Sequence, residues 1–309
     1  MSARPLQPLT VLVAGSRGHL GSALIPLLER RGHRILRLVR APRPAGPDHV
    51  AWDPAAETID AAALEGVDAA INLIGERIAA VRWTRAKKAR LYTSRIVGTR
   101  LLAETLAGLG RRPRVLLSAS AVGYYGNRGD EVLTEESSPG DTYLARLCRD
   151  WEAAADPSRR AGIRVVHPRN ANVLDGHRGF LTPLLPLFRF GLGGRLGSGR
   201  QYFSWIAVDD WVEAAYHILT TERLEGPVNM AAPQEVTNAE FTRTLARVLR
   251  RPALFAAPAS ALRLVMGELA DELLVSERVS PAKLLASGFT FRYPALEDAL
   301  RHLLGEGRR

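Results

Sequence analysis

An apolar run, Val11-Leu-Val-Ala14, breaks off into glycines at 15, 18 and 21, and an amphipathic pattern then continues through Leu28 to Gly32. Such a run followed by i, i+3, i+4 spacing reads as a buried strand leading into a helix. A second strand covers 34–39 and ends at Arg40. Beyond a Pro/Gly-rich link at 41–54, the pattern predicts a short helix at 61–65, a strand at 68–73 and a long helix at 84–109. A strand at 115–118, a helix at 141–155, a strand at 163–168 and a turn at Asp175-Gly176 follow. Alternating strands and helices predict an α/β fold: a Rossmann-type, doubly wound parallel sheet that binds its ligand outside the strands' carboxyl ends.

From Phe180 the rhythm changes. Helices are expected from Asp209 and at 238–249, 258–274, 279–287 and 296–304, with a strand at 227–230 and a glycine-rich loop at 191–199. The division expected is a main domain over 9–225, with substrate-region segments from about 176, and a small C-terminal helical domain over 254–305.

The glycine triplet carries the first chemistry. Gly15 permits a tight turn out of the strand, Gly18 lets the backbone approach a pyrophosphate, and Gly21 lets the helix pack on the sheet. The helix N-terminus adds N–H groups and partial positive charge. Strand before, helix after and a second strand near the ribose complete the context of a dinucleotide site. NAD sites usually end that second strand in an acidic residue; here Arg40 stands there, with Arg43 nearby and Arg17 in the loop. A guanidinium fork suits a 2′-phosphate, so NADP(H) is favoured over NAD(H).

Composition narrows the classes. With 46% hydrophobic and 24% charged residues, the 309-residue chain is globular. No apolar stretch reads as a bilayer span and the first residues lack a secretory core, so a cytoplasmic location without a membrane partner is expected. The lone Cys148 excludes an internal disulfide. The histidines show no metal-site spacing, so no metal is expected. A net charge of +10 suggests nucleic acid, but lysine occurs only at 87, 88 and 283 and the arginines are mostly scattered. That skew reads as coding bias, and no nucleic-acid partner is expected. The partner expected is a small-molecule substrate, with a homodimer left open.

Several segments then coincide with a known pattern. The glycine loop, Ser118-Ala-Ser-Ala-Val-Gly-Tyr-Tyr-Gly126 and Trp205-Ile-Ala-Val-Asp-Asp210 resemble the extended short-chain dehydrogenase/reductases, the sugar-nucleotide epimerase class. Asn72-Leu-Ile-Gly-Glu76, Arg82-Trp83, Ser94-Arg95, Leu192-Gly-Gly194, Leu196-Gly-Ser-Gly-Arg-Gln201 and the segment from Leu284 to Pro294 resemble an atypical branch, the epimerase family proteins. That branch carries an extra C-terminal helical domain. The resemblance implies that Gly15, Ser16, Arg17, Gly18, His19, Leu20 and Gly21 cradle the pyrophosphate and that Arg40 meets the adenosine ribose or its phosphate. It further implies that Leu73, Ile74, Gly75 and Glu76 line the cofactor, that Arg95 lies near NADP and Val173 by the nicotinamide. Without it, Arg95 reads equally well as an exposed helix salt bridge, and His19 as space-filling.

The catalytic pattern departs from the superfamily. There a tyrosine is the acid/base, a lysine four residues later lowers its pKa, and a hydroxyl holds the substrate oxygen. A phenol with an ordinary pKa of about 10 is a poor base near neutrality without such a cation. Ser120 stands for the hydroxyl, but Leu144 and Cys148 occupy the tyrosine and lysine positions. Tyr143 is one residue, or about 100° of helix, away. Tyr124 or Tyr125 could supply a phenol, though aromatic packing is the plainer role. Cys148 reads as small and buried rather than nucleophilic. Asp209 or Asp210 could act as an acid, but one is expected to cap its helix. Arg200 and Gln201 are the substrate-side candidates. The function expected is an NADP(H)-dependent oxidoreductase or epimerase acting on a small, nucleotide-sugar-like substrate. The other reading is an NADP(H)-binding sensor or scaffold with impaired catalysis.

Overall fold

The computed structural model describes residues 7–40, 46–78 and 82–305. Its centre is the strand Thr10–Ala14, in which Val11, Leu12, Val13 and Ala14 are all fully buried. A run that is apolar on both faces belongs in the middle of a parallel sheet, because helices cover both sides. On one side Thr10–Ala14 pairs in parallel with Arg34–Arg40, which pairs with His49–Asp53. On the other it pairs with Ala69–Asn72, then Val115–Ser118, Arg164–Asn170 and Gly226–Met230, all parallel. The short strand Thr58–Ile59 closes the far edge antiparallel. The chain leaves Thr10–Ala14 in opposite directions, so the strand order reverses there. That reversal opens a crevice at the carboxyl ends.

The link expected at 41–54 is only partly a link, since His49–Asp53 is a strand. Val50 and Trp52 point into the core, and the alternation of five residues was hidden by flanking Pro and Gly. The helix expected at 258–274 is two, Ala259–Met266 and Glu268–Leu273, broken at Gly267 with φ +60°. The helix expected at 279–287 shrinks to Ala282–Ala286, because Arg278–Val279 pairs instead with Val132–Leu133. Such a two-residue strand has no periodicity to read; a distant partner creates it.

Helices His19–Arg30 and Val208–Thr220 cover one face of the sheet through Leu24, Leu28, Trp211 and Ile218. Arg85–Gly108 covers the other through Leu102 and Leu106. A further cluster around Phe188, Trp205, Phe241 and Leu300 joins the later helices, including Asn238–Leu249 and Leu296–Leu303. Among the described residues, no helix is long and apolar enough to cross a membrane.

Neither Asp209 nor Asp210 caps its helix, which starts at Ala207 without a side-chain cap. Asp210 is buried and accepts hydrogen bonds from the backbone N–H groups of Arg292 at 2.7 Å and Tyr293 at 2.9 Å. Burial raises its carboxyl above the ordinary range despite those bonds. It therefore fastens the C-terminal segment to the main sheet's helix layer. Asp210→Ala is expected to lower stability by about 2–3 kcal/mol in urea unfolding, since two N–H groups lose a charged acceptor. A change within the range of an ordinary surface substitution would refute this tie.

Candidate functional site

The site begins where Thr10–Ala14 ends. Gly15 has φ +82°, a conformation L side chains rarely adopt, and a Cβ there would stand 2.7 Å from the Leu73 carbonyl oxygen. The Gly18 N–H donates to the Gly15 carbonyl at 2.9 Å, closing the turn. A Cβ on Gly21 would fall 2.4 Å from the Gly15 oxygen. Ser16 is buried, Arg17 is exposed, and Leu20 packs on the core. The helix that follows starts at Gly18 with no side-chain cap and no acidic residue in its first turn. Its first N–H groups and its dipole are therefore available to an anion. His19 does more than fill space: its Nε2 lies 2.8 Å from Asp175 Oδ2, tying the loop to the turn after Asn172–Leu174.

Ala14 pairs with Leu38, so Arg40 lies two residues further toward the crevice end of its strand, where it is exposed. Arg43 lies outside the described residues. Across the loop, the Leu73 N–H donates to Ala14 and the Ile74 N–H to Asn72 Oδ1. Asn72 is itself fully buried and donates to Thr99 Oγ1 at 2.8 Å, which also accepts from Trp151 Nε1 at 3.0 Å. The Glu76 carboxylate meets Lys87 at 2.7 Å and Arg90 at 3.2 Å, and the Lys87 bond above all holds it below the ordinary range. Its side chain thus serves the long helix.

Arg95 is not an exposed salt bridge. It is buried against Gly75, where a Cβ would touch its Cζ at 3.0 Å, and it donates to the carbonyls of Leu91 at 3.1 Å and Glu76 at 3.0 Å. Its guanidinium lies 5.0 Å from the Trp151 ring centre, and among the described residues its Nε has no partner. Burial pulls its pKa down. A buried cation with an unsatisfied donor and only carbonyl partners is costly unless something else answers it. Val173 is partly buried in Asn172–Leu174, paired with Ile206.

The other half of the crevice follows Val115–Ser118. Ser120 is buried and its hydroxyl donates to Glu152 Oε1 at 2.7 Å. Glu152, from helix Tyr143–Ala153, is gripped by Arg169 through Nε at 2.8 Å and Nη2 at 2.9 Å. Burial would raise the Glu152 carboxyl, but the Arg169 hydrogen bonds and charge outweigh it and hold the carboxyl low. The Arg169 guanidinium also lies 3.5 Å from the Tyr124 ring centre and donates to Tyr125 Oη at 3.0 Å. Tyr125 is fully buried and donates to Asn229 Oδ1 at 2.7 Å; burial pushes its phenol up to about 12. Tyr125 is a packing residue. Neither Glu152 nor Arg169 stood among the expected site residues. The signal was an arginine inside a strand buried on both faces, which demands a partner.

Leu144 packs on Gly123, where a Cβ would lie 3.3 Å from its own Cβ. Tyr143 turns away: its hydroxyl donates to the Lys88 carbonyl at 2.9 Å and its ring meets Trp83 edge-on. Burial, with Glu152 adding to it, pushes the Cys148 thiol up to about 12, so it is no nucleophile near neutrality. Gln201 is committed to its own loop, donating to the Leu196 carbonyl at 3.0 Å, while the Arg200 side chain is exposed.

These features have counterparts in known proteins. The model of the NAD dependent epimerase/dehydratase family matches residues 11–231, and that of a domain of unknown function, DUF1731, matches 257–303. An epimerase family protein of Mycobacterium bovis is 44% identical over 291 residues, covering 94% of this chain and 96% of the relative. The crystal structure of human epimerase family protein SDR39U1 with NADPH superposes with a TM-score of 0.87 at 34% identity, covering 96% of this chain and 99% of that one. A nucleoside-diphosphate sugar epimerase from Corynebacterium glutamicum superposes with a TM-score of 0.79 at 36% identity, covering 97% of this chain and 59% of that one. The crevice at the strand reversal, with its glycine loop and helix N-terminus, is that of an NAD(P)-dependent short-chain dehydrogenase/reductase fold. The chain belongs to the NAD dependent epimerase/dehydratase family, within its epimerase family protein branch.

Proposed function

We propose that the protein binds NADP(H) in this crevice and uses it in an oxidoreductase or epimerase reaction on a small, nucleotide-sugar-like substrate. The observation that carries the reading is the cradle at Gly15 and Gly21, where any Cβ would strike backbone atoms, beside an uncapped helix start. The unpartnered Nε of Arg95 supports it, because a bound polar group would satisfy that donor. The N–H groups from Ser16 to Leu20 hold the pyrophosphate, Arg40 and Arg17 meet the 2′-phosphate, and Leu73, Ile74 and Gly75 line the adenosine side. Val173 stands by the nicotinamide, and Arg200 reaches a substrate phosphate.

The bound nicotinamide supplies or accepts a hydride. The Ser120 hydroxyl donates its hydrogen bond to Glu152, which leaves its oxygen lone pairs to accept from and orient a substrate hydroxyl. The Glu152–Arg169 pair holds that hydroxyl in place, and Tyr124 shapes the floor beneath it. A fluorescence titration tests the reading: NADPH binds at least about tenfold tighter than NADH, and Arg40→Ala removes about 1–2 kcal/mol of that preference. Equal affinities in the unaltered protein would refute the 2′-phosphate role.

One set of observations favours a second reading, a cofactor-binding sensor without efficient turnover. Leu144 and Cys148 replace the tyrosine and lysine, and burial pushes both Tyr125 and Cys148 up to about 12. Both readings predict NADPH binding. Only the first predicts loss of the NADPH absorbance when a panel of nucleotide sugars and small carbonyl compounds is added.

A further inference from the structure

The place opposite Leu144 holds a carboxyl. A Cβ built on Gly123 would stand 3.3 Å from Leu144 Cβ and 4.0 Å from Glu277 Oε1. Gly123 thus lets Leu144, on the helix that also carries Cys148, and Glu277, in the C-terminal region, both come close to one backbone position. Resting on the NADP(H) reading, we propose that Glu277 is the proton-transferring residue of this crevice, reaching from the C-terminal region to Gly123, beside the position of the missing tyrosine.

The backbone around Glu277 is held from both sides. Its N–H donates to the Tyr202 carbonyl at 3.3 Å, and Ser204 Oγ donates to its carbonyl at 2.5 Å. The Val279 N–H donates to the same Ser204 Oγ at 3.1 Å, and Arg278–Val279 lies in register with Val132–Leu133. Ser276 adds another tie, donating to the Gly129 carbonyl at 2.6 Å and accepting from the Tyr202 N–H at 3.0 Å. Among the described residues, the carboxyl itself pairs with no cation. Its neighbour Arg278 is turned to Glu235 at 2.6 Å. These ties fix the backbone at Glu277 and leave its acid unengaged among the described residues.

Burial raises the Glu277 carboxyl to about 8, and the negative charge of Glu272, from helix Glu268–Leu273, adds to it. Cys148, on the facing helix, feels its charge. Lys88 and Arg146 act on Glu272 rather than on Glu277. An acid with a pKa near the working pH carries its proton and can release it. The superfamily's tyrosine reaches that condition from above with a lysine's help, whereas a desolvated carboxyl reaches it from below without a cation.

The step balances. In reduction, a carbonyl carbon takes a hydride, two electrons and one hydrogen, from NADPH while its oxygen takes the Glu277 proton. The products are an alcohol, NADP+ and the Glu277 carboxylate, which regains a proton from water. Oxidation runs the same transfers in reverse.

Binding of the two cofactor forms tests this without a substrate. Oxidised nicotinamide carries a positive charge and the reduced ring does not, so a nearby carboxylate favours NADP+. Calorimetric titrations between about pH 6 and about pH 9 are expected to show NADP+ affinity rising about tenfold while NADPH affinity changes far less. Glu277→Gln is expected to flatten the NADP+ profile. An infrared titration of the cofactor-free protein is expected to show a protonated carboxyl band lost near pH 8 and absent from the variant; this reading stands even if the variant binds poorly. Glu277→Asp keeps the acid should Glu277→Gln fold badly. Matching profiles in unaltered and Glu277→Gln protein, with NADPH bound by both, would overturn Glu277 alone. Failure of either cofactor form to bind would overturn the NADP(H) reading, and this inference with it.

Discussion

Arg169→Met is expected to lower folding stability by about 3–5 kcal/mol, because it strands a carboxylate in the interior. Arg169 is 3% exposed and its partner Glu152 13%, and two bonds under 3 Å join them. Removing the cation leaves Glu152 charged with the Ser120 hydroxyl as its remaining hydrogen-bond donor among the described residues. The same change frees the Tyr124 ring and the Tyr125 hydroxyl, so several contacts fail together. The double variant Glu152→Met/Arg169→Met is expected to lose less than Arg169→Met alone, since no unpaired charge remains. Urea unfolding of the two variants and of Arg111→Met, an exposed arginine paired to Asp68, provides the comparison. Should Arg169→Met prove as mild as Arg111→Met, the buried pair does not hold this half of the crevice together.

The pH dependence has a definite sign. The folded-state pKa of Glu152 lies below its ordinary value of 4.5, burial being outweighed by Arg169. The stabilisation is therefore complete above that ordinary value and is lost as pH falls through the folded one. Acid unfolding monitored by circular dichroism is expected to show this limb in the unaltered protein and to lack it in the double variant.

The second large effect concerns the glycine loop. Gly21→Val is expected to abolish most NADPH binding, because the first added carbon would stand 2.4 Å from the Gly15 oxygen and 2.9 Å from Ser16 Cα. These are backbone atoms, so relief requires the turn itself to move. Overpacking of this kind costs about 1–3 kcal/mol, and loss of aligned N–H donors lowers affinity by about 10- to 100-fold. Gly32→Ala supplies the contrast. It strains a backbone at φ +83° but meets no atom within 4 Å, so it is expected to lower the melting temperature and leave NADPH affinity unchanged. Equal binding by Gly21→Val and the unaltered protein would rule out the cradle.

Much of the fold was readable along the chain because its strands are buried on both faces and its helices are long. Val11 to Ala14, the glycines after them and the long helix at Arg85–Gly108 each announce themselves over a single continuous stretch. His49–Asp53 was missed because its alternation is brief and Pro and Gly crowd its start. Val279 carries a helical expectation because only Val132–Leu133, far away in sequence, makes Arg278–Val279 a strand. Position at a helix start suggests that one of Asp209 and Asp210 caps the helix, but the Asp210 oxygens accept instead from the N–H groups of Arg292 and Tyr293. In each miss a contact between distant residues overrode the local pattern.

The candidate site divides along the same line. The amino-acid sequence by itself determined the parallel α/β order, the glycine loop, the basic end of the second strand and the absence of the tyrosine–lysine pair. The first three follow from local periodicity, turn sterics and residue chemistry, which need no knowledge of distant neighbours; the last follows from the family resemblance. Only the tertiary structure decided that Ser120 donates its hydrogen bond to Glu152, that Arg169 neutralises that carboxylate and that Arg95 is buried with a donor unsatisfied among the described residues. It alone placed Glu277 across Gly123 from Leu144. Protonation and hydrogen bonding depend on burial and on charges brought together from far along the chain, and the fold sets both.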